Sequence, residues 1–341
     1  MDLIHAMAMF QELKKNRFTL WLLCAVGLAI LWPSALGGSY QVAEFISKIG
    51  IWIIFFFLGT SLTTKEIKNS YRPKRLHAFV LSWNFLLFPA IVALVLVPLT
   101  YFLSESLRLG FWLLAVLPTT VFSAVTFSTI SGGNSSNAIC ASVLSNLIAV
   151  LLVPSVAVAY FALEYDLIAP LWHLLSELLL LILLPLLFGQ ILRKFFPIRT
   201  IELSKHTQRL GNWVILFIVY TAFSNSVRSG FFEQLTTTSI LGVLLGAAGL
   251  LLVVSWLVRI SSNWIGLARD QRISVFFCSS QKSLATGIPL ATLILSAIPG
   301  IVDMATVLIP LMCYHLLQLI LAGILTNRWA LKIDLDSDVL A

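Results

Sequence analysis

Apolar residues in this chain come in long unbroken blocks, not in alternation or as a one-sided helical stripe. Stretches near 20 residues, the length that crosses a hydrocarbon core, fall at about 18–36, 46–63, 76–102, 111–131, 135–162, 168–192, 208–228, 236–258, 273–298 and 301–326. The pattern predicts ten transmembrane helices and an all-α integral membrane protein. Only Gly132-Gly133-Asn134 separates the fourth block from the fifth, and only Pro299-Gly300 the ninth from the tenth; both are tight-turn sequences. Residues 1–17 read as a cytoplasmic N-terminal segment, 18–326 as one helical domain and 327–341 as a cytoplasmic tail. Nine further blocks follow the first, which is therefore read as an uncleaved helix, not a processed leader.

Composition agrees with the blocks. Of 341 residues 59% are hydrophobic and 11% charged, where soluble domains carry about 25% charged residues. The net charge of +7 would suit nucleic acid, but its distribution points to membrane orientation instead. With the N-terminus in the cytoplasm, 18 Lys and Arg fall inside, three (Lys48, Arg108, Arg228) outside and one, Lys282, within a block. That partition predicts cytoplasmic N- and C-termini and, for a bacterial chain, the inner membrane. Cys24, Cys140, Cys278 and Cys313 lie in apolar stretches without metal-ligand spacing and read as small buried thiols.

Ten spans divide into two sets of five, and an odd number per set starts the second half from the opposite side. The inverted repeats would cover about 18–163 and 168–326. Each has a polar patch in its fourth span, then a tight turn and a long fifth span. The first patch runs from Thr119-Thr120 through Ser123 to Thr126; the second is Ser279-Ser280-Gln281-Lys282-Ser283.

The second patch is the costlier. A lysine at mid-helix disfavours insertion by about 2.5 to 3.5 kcal/mol, so it faces a protein interior or a water-filled cavity. Lys282 is then either a buried structural partner or the mark of a broken helix at a substrate site. Glu177 in the sixth span is either its partner or a crevice residue. Most single Ser and Thr residues in helices bond their own i−4 carbonyl. Two unwound helices together would instead bring carbonyls, hydroxyls and positive helix ends to the midplane, which suits an anion and a small hard cation. Gly-x-Ser-Gly, Gly-x-Gly-Asp and His-Glu-x-x-His motifs do not occur, so the chain does not read as an intramembrane enzyme.

The run Phe277-Cys278-Ser279-Ser280-Gln281-Lys282-Ser283-Leu284, continuing to Gly287-Ile288-Pro289, resembles the solute carrier family 10 member 7 branch of the bile acid:sodium symporter superfamily. Leu117-Pro118, Gly132-Gly133-Asn134, Pro154, and Pro185 with Gly189-Gln190 and Arg193 extend the resemblance over nearly the whole chain. It implies two inverted five-helix repeats, a panel of spans 1, 2, 6 and 7, a core of the other six, and broken, crossing spans 4 and 9. Sodium would sit beside the crossing and substrate between panel and core.

The implied sodium ligands carry over in part. The oxygen-bearing candidates are Asn84, Ser123, Asn137, Ser142 and Gln281, with Ala124 and Ala138 at two positions where the family has side-chain oxygens. The family's Glu-x-x-x-Gln-Asn becomes Phe277-x-x-x-Gln281-Lys282, which removes the carboxylate shared by both sodium sites and adds an ammonium. The resemblance thus implies the loss of at least one sodium, with Lys282 standing in for it. Lys282, Ser279, Ser280, Ser283, Thr120 and Asn225 are the candidates for contact with substrate. The expected function is secondary transport of a small organic anion, with sodium as a possible coupling ion and no other cofactor. The alternative is a membrane regulator linked to calcium handling.

Overall fold

The computed structural model describes residues 17–33, 40–61, 73–99, 101–165, 171–230, 236–296 and 302–338. The predicted N-terminal segment, the Pro299-Gly300 turn, the tail beyond Asp338 and the side chain of Glu177 lie outside the described residues.

The described residues are helical, without a strand. In chain order they form α1 (Arg17–Leu31), α2 (Tyr40–Ser61) and α3 (Lys74–Ser82), which passes through a π-helical turn (Trp83–Leu87) into α4 (Phe88–Leu99). Then come α5 (Glu105–Val116), α6 (Phe122–Ile130), α7 (Ser135–Tyr165), α8 (Leu171–Phe195) and α9 (Pro197–Arg228). The last four are α10 (Thr237–Trp264), α11 (Arg269–Ser280), α12 (Leu284–Ser296) and α13 (Met304–Asp338). Six continuous helical segments among the described residues are long and apolar enough to cross a membrane. The predicted fourth and ninth blocks are each divided into two short helices, α5 with α6 and α11 with α12.

Boundaries differ from the hydropathy reading where polar sequence stays helical. The predicted first span ends at Leu31, not at 36. Helix α9 begins at Pro197, eleven residues before its apolar block, with proline at a helix N-terminus where its missing N–H is harmless. Helix α13 continues to Asp338, so most of the predicted tail is helix. The expectation of buried thiols holds only for Cys278; Cys24 is exposed and the other two are half-buried.

Helix α2 lies along α8 and α9, and α1 along α9. A second set of contacts links α3 to α7 with α10 to α13. The two sets meet where α8 packs on α7 and where α9 packs on α12 and α13. Glycine sets the closest approach in the first set. A Cβ on Gly59 would overlap the Leu186 carbonyl oxygen, and one on Gly189 the Phe56 carbonyl oxygen. Beside them the Gln190 amide donates to the Gly59 carbonyl at 2.7 Å and the Arg193 guanidinium donates to the Thr60 carbonyl. The Gly189-Gln190 and Arg193 motif is therefore a packing notch followed by a cap on the carboxyl end of α2.

In the second set the predicted turn at 132–134 forms, with Gly132 at φ +77°. It docks on the start of α11: the Asn134 N–H donates to the Asp270 carbonyl at 3.2 Å and its amide to the Asp270 carboxylate at 3.3 Å.

Candidate functional site

The interruptions at 117–121 and 281–283 meet. The Ser283 N–H donates to the Pro118 carbonyl at 2.8 Å, a bond between the two unwound segments. Proline explains the first break, since Pro118 has no N–H with which to continue α5, and Leu117 before it is extended (φ −66°, ψ 149°). At the second, Gln281 is extended (φ −97°, ψ 144°), and Ser283 restarts the helix by accepting from the Thr286 N–H at 3.2 Å.

Lys282 is 1% exposed. Its ammonium donates to the carbonyls of Asn84 (2.9 Å), Ala115 (2.8 Å) and Leu117 (2.8 Å) and lies 4.1 Å from the centre of the Phe88 ring. Three N–H donors meet three acceptors, so the lysine is fully occupied by protein. Each acceptor has lost its helical donor for a reason legible in the chain. The Phe88 N–H reaches back to Trp83 across the π turn, and Pro89, next in line for Asn84, has no N–H. The Thr119 N–H, which would close a turn onto Ala115, goes to Ser145 Oγ instead. Leu117 lies in the break itself. Two of the three carbonyls belong to the carboxyl end of α5, where the helix dipole also favours a cation.

The peptide group of Lys282 is held separately. Its N–H donates to Gln318 Oε1 at 2.7 Å and its carbonyl accepts from Gln318 Nε2 at 2.9 Å. Tyr314 on the same helix donates to the Ser280 carbonyl at 2.8 Å and stacks edge-on against Phe88. Helix α13 thus replaces the hydrogen bonds that α11 gives up on unwinding.

Around Gln281 the donors and acceptors are oxygen-rich. Gln281 Oε1 lies 2.8 Å from both Thr120 Oγ1 and Ser123 Oγ, which are themselves 2.7 Å apart. Asn84 donates to the Cys278 carbonyl (3.2 Å) and Ser145 Oγ (3.3 Å). Ser142 donates to the Thr120 carbonyl at 3.2 Å. Asn146 donates to the Thr119 carbonyl at 3.0 Å and accepts from Thr286 Oγ1 at 3.0 Å. Among the described residues, four buried polar atoms here have no partner: Asn84 Oδ1, Thr119 Oγ1, Ser279 Oγ and Gln281 Nε2.

The structure brings Asn84, Thr120, Ser123, Ser142, Ser279, Gln281, Lys282 and Ser283 to one crossing. Ser280 lies there too, but its hydroxyl bonds back to the Phe276 carbonyl at 2.7 Å, the ordinary fate of a helical serine. Asn137 sits apart, in the first turn of α7, where its N–H is capped by Asn134 Oδ1 at 3.0 Å. Asn225 is exposed on α9, while its neighbours Ser224 and Ser226 are buried. Gln318, Asn146, Ser145 and Tyr314 are the residues that sequence reasoning missed. Gln318 carried a signal, being a lone amide in the apolar run Leu316-Leu317-Gln318-Leu319.

Residues 16–331 match the SBF-like CPA transporter family. The chain belongs to this family. Among its relatives, the uncharacterized protein PA2026 of Pseudomonas aeruginosa is 32% identical over 321 residues, 94% of each chain. YfeH of Escherichia coli is 29% identical over 319 residues, 92% of each chain. Sodium/bile acid cotransporter 7 of Xenopus tropicalis is 26% identical over 334 residues, 96% of each chain. A membrane protein of several spans in a family of transporters is thus established.

Sodium fits the crossing of this family member poorly. Phe277, where the resemblance implies a carboxylate, is fully buried against Phe127, Phe276 and Trp329. The partnerless oxygens of Asn84 and Thr119 are neutral, and Asn84 already holds an ammonium through its carbonyl. A sodium at those oxygens would place a second positive charge near the ammonium, and like charges repel.

Proposed function

We propose that the chain is a secondary transporter of a small organic anion that works by alternating access in a bacterial inner membrane. In this reading α1, α2, α8 and α9 form a panel, and the other helices form a core that moves against it. Ten crossings follow if α3 with α4, α5 with α6, and α11 with α12 each count once, and these divide into two inverted repeats of five. The distribution of basic residues supports cytoplasmic termini.

One observation carries the choice of an anion. Helix α6 starts at the break, where Thr120 Oγ1 takes the Ala124 N–H at 3.1 Å, and Val121 and Phe122 at its start are exposed. The unpartnered Gln281 Nε2 lies beside it, since the same amide binds Thr120 and Ser123. A positive helix end with an adjacent free amide N–H suits a carboxylate or sulfate group. Ser279 and Ser283 lie in the same crossing, and Thr120 and Ser123 line it from the other helix.

Lys282 acts in this reading as a built-in cation. Its ammonium is supported in the role of one sodium by its three carbonyl partners and by the missing carboxylate. Uptake of labelled carboxylates and sulfated steroids into proteoliposomes, with sodium or choline as the cation, tests the proposal. Saturable uptake that persists in choline is expected. Uptake of none of them by protein that binds one of them would favour a regulator over a transporter.

A further inference from the structure

At the far end of α9 from its basic start, Ser226 and Asp303 are buried together, 0% and 6% exposed. Ser226 Oγ donates to Asp303 Oδ2 at 2.9 Å. The same oxygen accepts from the Thr306 N–H at 2.8 Å and from Thr306 Oγ1 at 2.6 Å, so Asp303 caps α13. The Asp303 N–H donates to Ser106 Oγ at 3.3 Å, at the start of α5. With the Val307 N–H donating to its carbonyl at 3.1 Å, Asp303 is fixed to α13 and α5 by four bonds, and to α9 by one. Among the described residues no cation makes an ion pair with it. Among the described residues, hydrogen bonds hold its charge, and Ser226 supplies one of them from across the seam.

Contacts along that seam are one-sided. Helix α9 packs against α12 and α13, the elements beyond the second break, while α6 and α11 pack among α3, α7, α10 and α13. We propose that the Ser226–Asp303 hydrogen bond is a latch that closes this end of the molecule and holds the conformation open toward α6 and α11. The inference rests on the core-and-panel reading above. The Ser226 bond joins α9 to Asp303, whereas the Thr306 bonds lie within the start of α13, so losing Ser226 Oγ removes a bond across the seam and favours separation of α9 from α13.

The test measures distance distributions between nitroxides at the exposed positions Ser104 and Ser229, in lipid nanodiscs, with the four native cysteines replaced. Ser226→Ala is expected to raise the ratio of separated to closed populations by about tenfold, the value of one hydrogen bond to a charged group. Thr306→Ala removes part of the cap but not the bridge, and is expected to keep the parental distribution. An unchanged distribution in Ser226→Ala, or an equal shift in Thr306→Ala, overturns the latch. A shift specific to Ser226→Ala in a protein that transports no anion leaves the latch standing and removes the transport reading. Transport without the shift does the reverse.

Discussion

The Lys282 ammonium donates to the Asn84 carbonyl at 2.9 Å, an acceptor that a π turn and Pro89 together strip of its helical donor. The two residues are 198 positions apart, yet each removes the other's penalty. An irregular helix leaves a buried carbonyl unpaired, and a polar break brings a buried charge. Either alone is unfavourable by several kcal/mol; joined, with Ala115 and Leu117 completing the set, they are complementary.

Replacing the lysine tests this directly. Lys282→Ala leaves three buried carbonyls without a donor, at about 1 to 3 kcal/mol each, so a large drop in thermal stability in detergent is expected. The emptied oxygen set should also accept a small monovalent cation. Sodium is expected to stabilise Lys282→Ala relative to choline, and not the parent. A variant as stable as the parent in choline would show that the ammonium has no such role.

Gln318→Leu removes both partners of the Lys282 peptide group while keeping an apolar side chain. Two buried backbone groups lose their hydrogen bonds, for a destabilisation of about 3 kcal/mol. Chemical unfolding in mixed micelles measures it. An effect within error of zero would mean that the unwound peptide finds other partners.

Glycine positions give a paired test of helix packing. Gly59→Ala or Gly189→Ala forces α2 from α8, because the new methyl overlaps backbone oxygen that cannot move aside. Overpacking of this kind destabilises by about 1 to 3 kcal/mol or more, and loss of monodisperse protein on size exclusion is expected. Gly249 has nothing within 4 Å of an added Cβ. Gly249→Ala is expected to be neutral or mildly stabilising, read by the same chromatography after heating.

Pro89→Ala is informative through a small number. Alanine in a helix interior is usually favoured over proline by about 3 kcal/mol. Here the restored N–H would compete for a carbonyl that already has the ammonium. A gain well below that figure in thermal stability is expected; the full gain would show that Asn84 does not depend on Lys282.

Much of the fold was legible because hydropathy reads depth in the bilayer. It located the apolar blocks, the Gly132 turn and the polar patches where two helices break. It could not read helicity outside the membrane, which is why α9 reaches back to Pro197 and α13 on to Asp338. Within the site, polar residues in apolar sequence pointed to the crossing but not to their partners. Lys282 bonds to backbone oxygens, which every residue carries and no residue type announces. Asn137 and Ser142 are five positions apart on one helix, and only the latter reaches the Thr120 carbonyl. Rise along the axis separates them by about 7.5 Å.

At the end of the molecule where the chain turns at Gly132, Ser128 donates to Ser274 at 3.0 Å, Ser131 to Thr326 at 3.2 Å, and Asn134 clasps Asp270. The lower halves of both interrupted helices are thereby riveted to each other and to α13. With the two bonded in this way, a displacement of one of them would carry the other with it, as in a braced joint.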